Sequence, residues 1–217
     1  MSTKLYCVPA RLSADRESLA LALVTPARRA RGAQIKQPQD RLHCLLAGLL
    51  LRAVLGVTGD HQLQAGPWGK PSLTAGAPCF NLAHSGDWVL LGVGDRPLGV
   101  DVERLRTISP ALARRQFSPA EQAWAEGDPA RLLALWTARE SVMKATGRGI
   151  TLAPEDLEIV LGPDGPETAL ADGRPWFLHR GALGDHPWCL ADTDPDRPVL
   201  RMPDPADLLA VSPGGLD

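Results

Sequence analysis

Gly99-Val100-Asp101-Val102-Glu103 alternates small or apolar residues with acids. On a strand, residues two apart point to the same side, so Asp101 and Glu103 would present two carboxylates together at a strand end. Carboxylates that close repel one another unless positive charge lies between them. A hard divalent cation with oxygen ligands, Mg2+ or Mn2+, answers that requirement. The same residues also read as two exposed acids at the edge of a hairpin. Residues 88–93 are a second strand candidate, and Asp95-Arg96-Pro97 supplies a turn before the strand at 98–102.

Working outward, residues 6–8 start like a short strand. Thr25-Pro26 predicts a helix start, with Thr as N-cap and Pro at the first helical position. Residues 40–55 predict a helix. Leu42, Leu45, Leu46, Leu49 and Ala53 recur at the spacing of one buried face, and Gly56 suits its C-terminus. Downstream come three further starts: Ser109-Pro110, the capping box Ser118-Pro119-Ala120-Glu121, and Asp128-Pro129. The last opens the longest predicted helix, which runs to about Thr146 and stops at Gly147. Strands are predicted at 157–161, 175–179 and 188–191, with a turn at Pro163-Asp164-Gly165. Helices and strands are thus mixed in both halves, and no βαβ series with a glycine fingerprint is present.

On the predicted long helix, Glu140 and Lys144 are i, i+4 neighbours. Trp136, one turn earlier on the same face, sets Glu140 beside a partly buried surface. Taken alone, these two residues read equally as a surface ion pair and as part of a site.

The bulk numbers allow one globular unit or two small ones. The 217 residues are 44% hydrophobic and 22% charged. The longest apolar stretch, 45–51, is interrupted by Gly48 and falls well short of the roughly 20 residues of a membrane span. The first residues lack the apolar core of a signal peptide, so a cytoplasmic protein is expected. Cys7, Cys44, Cys79 and Cys189 are scattered and form no CxxC pair, which argues for free thiols rather than a zinc site. Six Asp against two Arg in residues 191–217 leave 21 basic and 19 acidic residues elsewhere, a balance suited to phosphate-bearing or acidic partners. Residues 196–217, rich in Pro and Asp, read as an extended tail.

Read in order, the chain shows Gly69-Lys70-Pro71, Phe80-Asn81-Leu82-Ala83-His84-Ser85, Gly99-Val100-Asp101-Val102-Glu103, Phe117-Ser118-Pro119-Ala120-Glu121 and Trp136-Thr137-Ala138-Arg139-Glu140-Ser141-Val142-Met143-Lys144. This succession resembles the Sfp-type 4′-phosphopantetheinyl transferases, over roughly residues 20 to 160. The resemblance implies a pseudo-dimeric α/β (α+β) fold, two similar subdomains with the site between them. Residues 1–102 would form the N-terminal subdomain, 103–195 the C-terminal one and 196–217 the tail. It implies transfer of the phosphopantetheine arm of coenzyme A to a serine of an acyl or peptidyl carrier protein. Asp101, Glu103 and Glu140 would ligate Mg2+. Glu140 and Lys144 would be catalytic. Arg28, Arg31, Lys70, His84 and Lys144 would contact coenzyme A. Arg104, Arg106, Arg114 and Arg115 would help dock the carrier. A monomer is expected, with no nucleic-acid or membrane partner. The competing reading is a Mg-dependent nuclease or phosphohydrolase, against which stands the helical spacing of Glu140 and Lys144. Three departures from the family pattern concern cofactor contacts: Arg139 for Lys, Ala83 for Ser, and His43-Cys44 for a basic residue and Thr.

Overall fold

Strand β1 (Lys4–Pro9) buries four consecutive residues, Leu5 to Val8. A strand sends alternate side chains to opposite faces, so an unbroken buried run means that both faces are covered. The computed structural model, which describes residues 2–216, shows by what. Tyr6 and Val8 pack under helices, whereas Leu5 and Cys7 face a second sheet.

The first sheet has the order β11-β1-β5-β4, with β4 at Cys79–Ser85, β5 at Trp88–Gly94 and β11 at Val199–Arg201. Its outer face is covered by α1 (Ala14–Leu23), α3 (Pro38–Leu55) and α7 (Pro205–Ala210), and α2 (Pro26–Gln34) packs against α3. The second sheet runs β6-β10-β9-β8-β7, over Gly99–Val102, His186–Asp192, Arg174–Leu183, Gly165–Ala171 and Leu157–Gly162. Helix α6 (Pro129–Thr146) lies across β6, β10 and β8, beside α4 (Pro110–Gln116) and α5 (Pro119–Ala125). Between the sheets, Leu90, Val100, Val102 and Leu190 close the middle of the molecule. A short ribbon of β2 (Leu63–Ala65) and β3 (Pro71–Leu73) flanks the first sheet. The result is a mixed α/β architecture of four layers: helices, sheet, sheet, helices.

Local signals set the helix ends. Asp128 Oδ1 accepts from the amides of Ala130 and Arg131, and Gly147 ends α6 at φ 78°. Ser118 and Glu121 cap α5 reciprocally. Gly56, at φ 67°, stops α3. Thr25 departs from expectation: its hydroxyl makes no cap bond to α2, and the Asp60 carboxylate accepts from Ala27 N instead, at 2.9 Å.

Two predictions fail for non-local reasons. The hairpin across 88–102 does not form. β5 pairs with β1 and β4, and β6 pairs with β10, with Asp101 opposite Cys189. The Asp95–Pro97 turn instead carries the chain from one sheet to the other. A side chain at Gly92 would crowd Leu98 Cδ1, so this glycine lets the two sheets approach. Nor is 196–217 an extended tail among the described residues. β11 pairs parallel to β1, Leu208 is fully buried in the first core, and Arg52 Nη1 donates to Val211 O at 2.8 Å. The tail was unreadable because its partners lie at the other end of the chain.

Leu208→Ala should therefore lower stability by about 2–5 kcal/mol in urea denaturation, as for any well-packed core leucine. A change under about 0.5 kcal/mol, typical of a surface position, would mean that this segment is dispensable.

Candidate functional site

Gly99 is where β6 and α6 meet backbone to backbone. A Cβ at this position would overlap the Ser141 carbonyl oxygen and the Ala145 amide nitrogen. Only glycine admits this approach, and it brings the next same-face residue of β6, Asp101, under the last two turns of α6. Asn81 steadies the strand from the first sheet, its Oδ1 accepting from Val100 N at 2.8 Å.

The consequence is a buried carboxylate beside a lysine. Lys144 Nζ lies 2.5 Å from Asp101 Oδ1, while Asp101 Oδ2 is buried and hydrogen-bonded to nothing. Burial pushes the Asp101 carboxyl up to about 7, against the pull of Lys144 and with the repulsion of Glu140 and Glu103. Burial also raises Glu140, again opposed by Lys144 and reinforced by Glu103. Glu103 accepts from Ser85 Oγ at 3.3 Å and faces Arg106 at 3.6 Å. The three predicted acids thus lie within one another's field. As the side chains stand, no three acid, His or Cys side chains among the described residues are gathered closely enough to hold a metal ion. Lys144 is the counter-charge to Asp101. The unpartnered oxygen and the mutual repulsion fit the donor chemistry of a hard cation.

Helix α6 owes its setting to a second buried pair. Arg139 Nε donates to Glu121 Oε1 at 3.1 Å and its Nη2 to Oε2 at 2.8 Å, a two-pronged contact that a lysine cannot make. Its Nη1 also reaches Pro154 O, at 3.3 Å. Glu121, legible in sequence only as a cap, therefore also anchors the residue next to Glu140. That gives the Arg139 departure a physical role.

The predicted coenzyme A contacts divide. His84, at the end of β4, keeps an edge open to solvent while the rest of the ring is packed among neighbours, and that burial, then the charges of His43 and Lys144, push it down to about 4. Exposed Arg31 adds a smaller effect of the same sign. Arg28 is instead folded into the α2–α3 crossing, with Nη1 donating to Cys44 O at 3.3 Å and its chain lying over Gly48. Lys70 Nζ donates to Leu98 O at 2.8 Å and Ala145 O at 3.3 Å, and burial lowers it to about 8. In this structure it ties the C-terminal turn of α6 to the start of β6, where the helix dipole favours a cation. Sequence reading missed Asn81 and Ser85 as positioning groups. Both lie within the quoted 80–85 stretch, and only the second sheet reveals their partners.

Asp101 gives a pH signature. Its folded value of about 7 lies above the ordinary 3.8 of an aspartate, so the folded protein keeps a proton that the unfolded chain releases. Its contribution falls as pH rises from about 4 to about 7 and then levels. His84, depressed from 6.5 to about 4, acts oppositely over most of that window. Urea denaturation of wild type and Asp101→Asn isolates the acid: the variant should gain stability relative to wild type as pH rises from about 5 to about 8. A constant difference would show that the carboxyl is not held up.

The 4′-phosphopantetheinyl transferase superfamily model matches residues 97–191, which contain Asp101, Glu103, Glu140 and Lys144. The chain is 27% identical over 174 residues to 4′-phosphopantetheinyl transferase Sfp of Bacillus subtilis, covering 71% of this chain and 74% of that protein. It is 39% identical over 94 residues to 4′-phosphopantetheinyl transferase psf-1 of Bacillus pumilus, 41% and 40% of the two chains. Over 122 residues it is 30% identical to 4′-phosphopantetheinyl transferase gsp of Aneurinibacillus migulanus, 52% and 51%. The segment that carries the strand–helix contact at Gly99 and the acids around it is thus the one that matches the 4′-phosphopantetheinyl transferase superfamily, and Sfp is among the proteins this chain is similar to.

Proposed function

We propose that this protein moves the 4′-phosphopantetheine moiety of coenzyme A onto a serine of an apo carrier protein and releases adenosine 3′,5′-bisphosphate. The observation that carries the reading is the buried Asp101, with one oxygen on Lys144 and the other unpartnered, inside the segment that matches the family model. Asp101, Glu103 and Glu140 would hold Mg2+, or Mn2+ in its place, which supplies positive charge against the pyrophosphate. Glu140, half-buried and raised in pKa, is the proton acceptor for the serine hydroxyl. The serine oxygen then forms a bond to the β-phosphorus, and the bond from that phosphorus to the nucleotide's phosphate oxygen breaks. Lys144, freed from Asp101, donates to the departing phosphate. Arg31 and His84 steady the nucleotide end. Lys70, held by two carbonyls, and Arg28, held in the helix crossing, support the site rather than reach into it. The nuclease or phosphohydrolase alternative draws no support, since the relatives above all carry transferase names.

Carrier docking falls mainly to α4. Arg104 pairs loosely with Asp185 at 4.0 Å, and Arg106 is drawn to Glu103 and lies 6.0 Å from the Trp136 ring centroid. Arg114 and Arg115, in the last turn of α4, are exposed. They suit an acidic helical partner.

Intact-mass spectrometry of an apo carrier incubated with this protein, coenzyme A and Mg2+ tests the activity. One phosphopantetheine should be gained, and EDTA should abolish the gain. Glu140→Gln should slow transfer by about 100-fold or more, the usual yield of a positioned base. Failure with both fatty-acid and synthase carriers would overturn the proposal. Separately, Arg114→Glu with Arg115→Glu should raise the carrier KM by about tenfold through slower encounter and leave the coenzyme A KM alone. Equal KM values for wild type and variant would remove α4 from the docking surface.

A further inference from the structure

His43 occupies one of the positions that depart from the family pattern, and the structure shows its ring at work. The side chain rises from α3 and is buried. Its ring stacks on that of His84, with centroids 4.7 Å apart and planes inclined by 24°. Its Nε2 lies 2.8 Å from Gly86 O. A carbonyl oxygen can only accept, so Nε2 carries the proton. Nδ1 is buried and hydrogen-bonded to nothing, with the Asp40 carboxylate 3.9 Å away. The ring therefore spends one nitrogen as an anchor and offers its face.

That anchor point is itself clasped. Gly86 O also accepts from Gln39 Nε2 at 2.8 Å. From the second sheet, His186 Nε2 accepts from Asp87 N at 3.3 Å, and a side chain at Gly86, whose φ is 52°, would overlap that same imidazole. The turn after β4 is thus held between α3 and β10. It directly follows His84 and Ser85, the last two residues of β4, the latter bonded to Glu103. His43 cannot reach a ligand past the ring that covers it.

We infer that His43 is a positioning residue, which fixes the plane of His84 by stacking and so sets how that imidazole meets the phosphates of coenzyme A. The inference rests on the proposed function, in which His84 steadies the nucleotide. It also explains how a buried histidine serves where the family carries a basic residue: it acts through a neighbour and not on the ligand.

Steady-state kinetics with a saturating apo carrier test it. His43→Ala should raise the coenzyme A KM by about three- to tenfold, the size of a ring–ring contact, with a smaller change in kcat. His43→Phe, which keeps a flat face and drops the bond to Gly86, should return KM to within about twofold of wild type. His43→Gln, which keeps a donor and drops the face, should not. In a His84→Ala background, His43→Ala should add nothing further, because the pair acts as one unit. Additive effects, or rescue by Gln and not by Phe, would overturn the positioning role while leaving the transferase reading intact. A normal coenzyme A KM for His84→Ala would overturn the placement of His84 on the ligand, and this inference with it.

Discussion

The approach of β6 to α6 at Gly99 is the constraint on which the site depends. Side chains at the contact normally hold packed helices about 8–10 Å apart, axis to axis, and the bare Gly99 lets the strand and helix backbones touch. The contact has a cost, since it carries Asp101 into a place where an ionised carboxylate is poorly solvated. Lys144 compensates for one oxygen only. A site whose charge is incompletely balanced by its own side chains is poised to take up positive charge from outside. Here the same two elements that create the deficit also carry Glu103 and Glu140 around it.

Such a site needs α6 to be held in register, and the Arg139–Glu121 pair supplies this. A buried ion pair is weak evidence for stability, because desolvation offsets much of its attraction. Its value lies in geometry. A planar guanidinium gripping both carboxylate oxygens allows few rotations of α6, and its neighbour Glu140 inherits that restriction. Lys70 does the same at the far end of the helix, where it joins Ala145 to Leu98. Arginine at 139 thus matters for how the helix is fastened, since its two-pronged grip on Glu121 is one that a lysine cannot make.

The two halves meet through backbone-directed polar contacts as well as through apolar packing. Asn81 to Val100, Ser85 to Arg104 N and Asp87 N to His186 each bridge the first sheet to the second. The C-terminal segment reinforces the outer side by adding β11 to β1 and Leu208 to the helical core. A hairpin over 88–102 would have left β6 in the first sheet and Asp101 away from α6.

Sequence alone determined whatever depends on short-range geometry. Asp128, Ser118, Gly56 and Gly147 marked helix ends because capping is settled within a turn of chain, whereas the spacing of Asp101 with Glu103 and of Glu140 with Lys144 left exposed acids and a surface ion pair open, and only the ordered succession of motifs that resembles the family joined the four residues into one site. Tertiary structure decided the partners. Whether Arg28 faces solvent or Gly48, whether Lys70 meets a phosphate or the carbonyl of Ala145, and whether residues 196–216 float or pair with β1 depend on groups 16 to almost 200 residues away along the chain. A long cation can satisfy its donors on any acceptor within reach, and which acceptor lies within reach is a property of the packed layers. The ring of His43 is the clearest case. Nothing in its sequence neighbourhood points to His84, and only the folding of β4 over α3 sets the two faces together.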